Sequence, residues 1–328
     1  MQISPETQLF IREHQTDDVR ALALQARKYP NVDMPTAITQ IAGRQVAAEK
    51  IPSWRDTDDI WYPKHLSLEQ CSSEVTARYK ATLLKGNSLT DLTGGFGIDC
   101  AFLAARFKSA TYVERQQELC EIAAHNFPIL NLNHINVKNE DGVSYLQAMS
   151  PVDCIFLDPA RRNEHGGKTV AISDCEPDVA ELEELLLNKA GQVMVKLSPM
   201  LDLSLALKEL QHVQEVHIIS ANNECKELLL ILGQASAEEI SIHCVNLPTR
   251  GTQEEQHFVF TREQEQCSEC NYTDTLENYL YEPNASLLKA GAFRSIASAF
   301  PVKKLHPNSH LYTSDVLIEN FPGRAFHI

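Results

Sequence analysis

The stretch Asp91-Leu-Thr-Gly-Gly-Phe-Gly-Ile-Asp99 sets three glycines in four positions between two carboxylates. Glycines let a backbone pass close beneath a bound ligand, so the stretch is a candidate cradle. The spacing departs from the G-x-G-x-x-G of dinucleotide sites, and the loop alone does not name its ligand. A further carboxylate, Glu114, closes Thr111-Tyr-Val-Glu114, 23 residues after Asp91. It can accept hydrogen bonds from both hydroxyls of a ribose, a device that NAD sites share. Asn139-Glu-Asp141-Gly142 supplies a short acid as the third station, and Cys154-Ile-Phe-Leu-Asp158-Pro-Ala-Arg-Arg162 supplies a fourth. Asp158 can accept a hydrogen bond from a nucleophilic nitrogen or oxygen, or take its proton, while Pro159 stiffens the loop. Arg161 and Arg162, beyond Ala160, can pair with a substrate phosphate or carboxylate, or with acids of the chain itself.

These stations need a scaffold that presents strand ends side by side. From Ser88 onward short apolar runs alternate with helical patterns, the signature of a parallel sheet with crossover helices. Strands are predicted at 88–92, 110–114, 134–138, 153–158, 191–197, 213–220 and 227–233. The last two are separated by Ser220-Ala-Asn-Asn-Glu-Cys-Lys, too short for a parallel crossover of a dozen or more residues, so they should be antiparallel. Helices are predicted within 16–27, from Met34-Pro35, over Ser67 to Leu84 and over Gly97 to Phe107, with 51–66, which holds both tryptophans, as a packed connector. Beyond Gly233 strands are expected at 240–247 and 257–261, then a helix over 285–300.

The ordered set D-L-T-G-G-x-G, an acid after strand two, an acid after strand three and D-P-A after strand four resembles class I S-adenosylmethionine-dependent methyltransferases. That resemblance implies an α/β fold: a Rossmann-like seven-stranded methyltransferase sheet whose last strand is antiparallel, with an N-terminal helical region and a small C-terminal α+β domain. The implied division is 1–84 helical, 85–235 cofactor-binding, 236–278 a small strand-rich segment and 279–328 C-terminal. The implied cofactor is S-adenosyl-L-methionine. Carried over residue by residue, Asp91, Thr93, Gly94, Gly95 and Gly97 would hold its methionine moiety, Glu114 its ribose, and Asp141 with Gly142 its adenine. Asp158, Pro159, Ala160, Arg161 and Arg162 would form the catalytic loop facing the sulfonium methyl. The loop lacks the aromatic of D/N-P-P-Y enzymes, which weakens an adenine-N6 assignment, and is nearer the D-P-P-R of some RNA methyltransferases. Lys196-Leu-Ser-Pro-Met200, after strand five, has no cysteine, and Cys154 starts an apolar strand. Direct transfer without a covalent enzyme intermediate is therefore expected.

Residues 279–294 and 305–314 resemble the C-terminal THUMP-like domain of a bacterial methyltransferase group, and 68–80 resembles the helix that leads into its sheet. The likeness implies an RNA substrate, a tRNA or rRNA base. The chain carries a formal charge of −15, which argues against general polyanion binding. Residues 289–328 nonetheless hold five cations (Lys289, Arg294, Lys303, Lys304, Arg324) against two anions, so an RNA contact is expected there. A protein or small-molecule substrate, or a binding module without chemistry, are the competing readings. Phe321 to Ile328 reads as a strand entering more structure, which suggests a truncated C-terminus. Glu164-His-Gly-Gly-Lys-Thr169 is only a partial phosphate-loop pattern and is taken as a loop over the reaction site. Cys267-Ser-Glu-Cys270 lacks a second pair, so no metal site is predicted. Scattered, odd-numbered cysteines and the lack of a signal segment or a run of roughly 20 apolar residues point to a cytoplasmic protein.

Overall fold

A computed structural model of the protein describes residues 3–161, 171–235, 238–248 and 254–328, and of Arg161 the backbone. The chain forms two compact units, Met1–Phe156 and Leu157–Ile328. Together they carry a mixed α/β, Rossmann-like fold with N-terminal helices and a small antiparallel C-terminal sheet.

In the first unit the helices are α1 (Pro5–Glu13), α2 (Val19–Leu24), α3 (Met34–Lys50), α4 (Pro52–Arg55), α5 (His65–Gln70) and α6 (Glu74–Leu83). Ser4, Asp18, Asp33 and Ser73 each accept a backbone N–H three residues on, contributing about 1 kcal/mol per cap. The single helix predicted over Ser67 to Leu84 is two, because Ser73 is extended (φ −75°, ψ 157°) to cap α6. Then follow β1 (Ser88–Asp91), α7 (Ile98–Ala104), β2 (Ser109–Glu114), α8 (Gln117–Ile129), β3 (Ile135–Asn139), α9 (Gly142–Ala148) and β4 (Val152–Leu157). The strands lie in the order β4-β1-β2-β3, all parallel. Trp54 packs edge-on against Phe96, and Tyr112 against Phe127, at centroid distances of 5.1 and 5.5 Å. This buried aromatic layer fixes the loop that follows β1.

The second unit runs through β5 (Ala160–Arg161), β6 (Cys175–Glu176), α10 (Val179–Lys189), β7 (Ala190–Leu197), α11 (Leu203–Glu209), β8 (Val213–Ala221) and β9 (Glu224–Gly233). β9 lies between β7 and β8 and is antiparallel to both; the short connection had foretold the hairpin with β8. Asn222 and Asn223 both take positive φ (50° and 61°), the geometry a two-residue hairpin turn demands and asparagine tolerates. β10 (Ser241–Leu247), assigned from sequence to a separate segment, instead pairs in parallel with β8, and β11 (Gln256–Thr261) pairs antiparallel with β10. Residues 241–261 therefore extend the sheet. Alternation alone marks a strand but not its neighbour, and that is why the segment was misplaced.

After α12 (Arg262–Cys267) come β12 (Tyr279–Pro283), α13 (Ala285–Ala290), α14 (Phe293–Ala299), β13 (Lys303–Lys304), β14 (Tyr312–Ser314) and β15 (Gly323–His327). They form an antiparallel sheet in the order β13-β14-β12-β15. The helix predicted over 285–300 is split at Gly291, whose φ of 75° ends α13. Among the described residues no helix is long and apolar enough to cross a membrane.

Candidate functional site

β1 delivers Asp91 to the head of the glycine loop, where its side chain is buried and Oδ1 accepts the N–H of Thr93 at 2.9 Å. The loop then turns under β2. Gly94 donates its N–H to the Val113 carbonyl at 2.9 Å, and the Tyr112 hydroxyl donates to the Gly95 carbonyl at 2.5 Å. Gly95 and Gly97 both sit in the left-handed region (φ 54° and 89°), which side chains rarely adopt. A Cβ on Gly95 would meet nothing nearer than the Thr93 carbonyl oxygen at 3.8 Å, so bare peptide is presented there to open space.

Glu114 closes the cradle. Its Oε2 accepts the Gly95 N–H at 2.9 Å and its Oε1 the Gln116 N–H at 2.8 Å. Each carboxylate oxygen has a second lone pair, so the two amides orient the group and leave acceptor capacity for a diol. Asp141 caps α9, its Oδ1 accepting from Val143 and Ser144 at 3.1 and 2.9 Å, and it is exposed. Gly142 has a packing reason to be glycine, since a Cβ would lie 2.3 Å from the Leu92 carbonyl oxygen. Asp91, Thr93, Gly94, Gly95, Gly97, Glu114, Asp141 and Gly142 thus all border the carboxyl ends of β1, β2 and β3. A bare peptide cradle with a fixed carboxylate beside it suits an adenosyl-bearing cofactor.

The motif's last acid does something the sequence did not announce. Asp99 accepts from the Ser72 hydroxyl at 2.7 Å and pairs with the fully buried Lys80 ammonium at 3.1 Å, while Lys80 also reaches Ser72 at 3.0 Å. This network ties the start of α7 to α6. Buried lysines require such partners, since an ammonium out of water without one costs several kcal/mol.

In the second unit Asp158 follows β4 and is 38% exposed, and its Oδ2 lies 2.6 Å from the ammonium of Lys196, which is nearly buried near the end of β7. Lys196 is the residue that sequence reasoning passed over; it was noted only for the absence of cysteine in the loop after it. The contact is charge-assisted and orients the carboxylate. Ala160 and Arg161 pair antiparallel with Glu176 and Cys175, so the chain returns to the loop's base. The Arg161 side chain, Arg162 and the 164–169 loop lie outside the described residues. In the first unit Cys154 is fully buried, and burial pushes its thiol up to about 11, which leaves almost no thiolate near neutrality.

The five C-terminal cations are each engaged within the chain. Lys289 donates to the Leu201 carbonyl at 2.8 Å and Arg294 to that of Gln266 at 2.9 Å. Lys303 pairs with Glu277 and Arg324 with Glu282, and the buried Lys304 donates to the Pro307 carbonyl.

Comparison with solved structures places this architecture. A crystal structure from Porphyromonas gingivalis W83, named a "putative methyltransferase", is 36% identical over 98% of this chain and 80% of its own, with a TM-score of 0.86. The chain belongs to this methyltransferase family. Membership makes it an S-adenosylmethionine-dependent transferase; the cofactor, when bound, supplies an electrophilic methyl group. Residues 49–163 match the protein-L-isoaspartate(D-aspartate) O-methyltransferase model, and 279–322 match a ferredoxin-like domain, where the sequence had pointed to a THUMP-like one. An rRNA methylase from Streptococcus thermophilus is 16% identical over 48% of this chain and 93% of its own (TM-score 0.34). SMU.1697c from Streptococcus mutans, a "putative methyltransferase" in complex with SAH, is 14% identical over 49% of this chain and 96% of its own (TM-score 0.35). No curated protein matches the chain.

Proposed function

We propose that the protein transfers the methyl group of S-adenosylmethionine directly to a base of tRNA or rRNA. In this reading Asp91, Thr93, Gly94, Gly95 and Gly97 bind the methionine end, Glu114 the ribose, and Asp141 with Gly142 the adenine. Asp158 orients the attacking nitrogen or oxygen and accepts its proton. The observation that carries the reading is the Asp158–Lys196 pair, a partly exposed carboxylate just after a strand end and held against an ammonium, while burial raises the pKa of the Cys154 thiol. That combination suits general-base alignment and does not suit a covalent thiolate mechanism. The likeness of the D-P-A-R-R stretch to the D-P-P-R of some RNA methyltransferases supports RNA.

The engaged C-terminal cations favour a second reading, a protein or small-molecule acceptor, because phosphate neutralisation needs free cations. The match to a protein O-methyltransferase model covers the glycine loop and carboxylates that every acceptor class would share. Incubating the protein with methyl-labelled S-adenosylmethionine and RNA from cells lacking its gene separates them. Label that is ribonuclease-sensitive supports RNA. Label that survives ribonuclease and falls to protease, or stays in a low-mass fraction, selects the alternative.

A further inference from the structure

The second unit carries a cluster that plays no part in methyl transfer as proposed above. We propose that Glu215, His217 and His243 form a binding site for a divalent metal ion of borderline softness, zinc first among them, with water completing the coordination. Among the described residues, this is where three metal-type side chains bring ligand atoms within 4.8 Å of one another.

Register produces the convergence. β8 and β10 are parallel neighbours, with His217 opposite His243 and Glu215 opposite Ser241. All four residues therefore share one face of the sheet, and the two imidazoles stack at 4.3 Å between centroids. The His217 Nε2 reaches back along β8 to the Glu215 carboxylate at 3.1 Å. The His243 Nε2 reaches back along β10 to the Ser241 hydroxyl, also at 3.1 Å. Both Nε2 atoms thus point toward the same row, where the carboxylate stands. Zinc bonds of about 2.1 Å at tetrahedral angles set donors about 3.4 Å apart, within reach of small torsions of the 47%-exposed Glu215 side chain.

The surroundings complete the chemistry. A metal-bound imidazole needs a partner for its other nitrogen, and the His243 Nδ1 has one in the Nε2 of His257 on β11, at 3.2 Å. Ser241 stands where it can hydrogen-bond a water in the open position. Two neutral imidazoles and one carboxylate give a net negative donor set for a dication.

The test is calorimetric titration of ZnCl2 into the chelator-treated full chain, beside cobalt(II) absorption spectra. One saturable ion per chain is expected, with affinity lowered roughly tenfold or more in Glu215→Gln and in His243→Gln. Both side chains are partly exposed, and unchanged circular dichroism of each variant verifies its fold. The Cys267→Ser, Cys270→Ser double variant should bind as the parent does, and the cobalt spectrum should show ligand-field bands without a thiolate charge-transfer band. Zinc should raise the melting temperature of the parent and of neither Glu215→Gln nor His243→Gln. No saturable binding at tens of micromolar, undiminished binding in both variants, or a thiolate band would overturn the site.

Discussion

The glycine loop of the first unit and the Asp158 region of the second hold their carboxylates by opposite means. Asp91, Glu114 and Asp141 are each oriented by backbone amides close by in the chain or across adjacent strands. Asp158 meets the ammonium of Lys196, which lies 38 residues away in sequence and arrives only when β7 is in place. Carboxylates held by main-chain donors tolerate side-chain change around them, whereas the Asp158 carboxylate depends on the side chain at position 196 for its ionic contact.

Several substitutions press on this contrast, and the largest effect belongs to Asp158→Ala. It should lower methyl transfer about 10²- to 10⁴-fold while calorimetric affinity for S-adenosylhomocysteine stays that of the parent. A joint loss of both would erase the separation between the regions. Lys80→Met, which removes the ammonium paired with the buried Asp99 carboxylate, should cost about 3–5 kcal/mol in urea denaturation. A loss below about 1 kcal/mol would mean the loop stands without its tie to α6.

Glu114→Gln places an amide N–H₂ against one of two backbone N–H groups and removes the charge. Affinity for S-adenosylhomocysteine should fall about 10- to 100-fold, matching about 1.5–3 kcal/mol for hydrogen bonds to a charged group. Lys196→Gln should reduce turnover roughly tenfold at unchanged cofactor affinity, with Lys196→Arg recovering part of it. If cofactor affinity falls instead, Lys196 serves the wrong region for this comparison. Smallest of all, Cys154→Ala should keep transfer within roughly twofold of the parent in single-turnover assays, as direct transfer requires. Abolished turnover in a folded Cys154→Ala protein would restore the covalent route.

How much was legible follows the same division. The strands over 88–92, 110–114, 134–138, 153–158, 191–197, 213–220 and 227–233 were read within a few residues of their observed limits, because each is a short apolar run bounded by turn residues. The antiparallel β9 was also legible, since a two-asparagine turn excludes a crossover. Helix boundaries at Ser73 and Gly291 were missed although both residues are familiar terminators, because the apolar spacing continues across them. α1 was not placed individually within the helical region read over 1–84.

The sequence by itself determined the parallel sheet, the cradle and its carboxylates, because those depend on residue type and on neighbours a few positions away or one crossover apart. Only the tertiary structure decided that Lys196 meets Asp158, that Lys80 and Ser72 meet Asp99, that β10 joins β8, and that the basic C-terminal residues are engaged at home. It also brought His217 and His243, 26 residues apart, into one register. The physical reason is that strand order and ion pairing are set by which apolar faces pack together, and a one-dimensional pattern does not encode that choice.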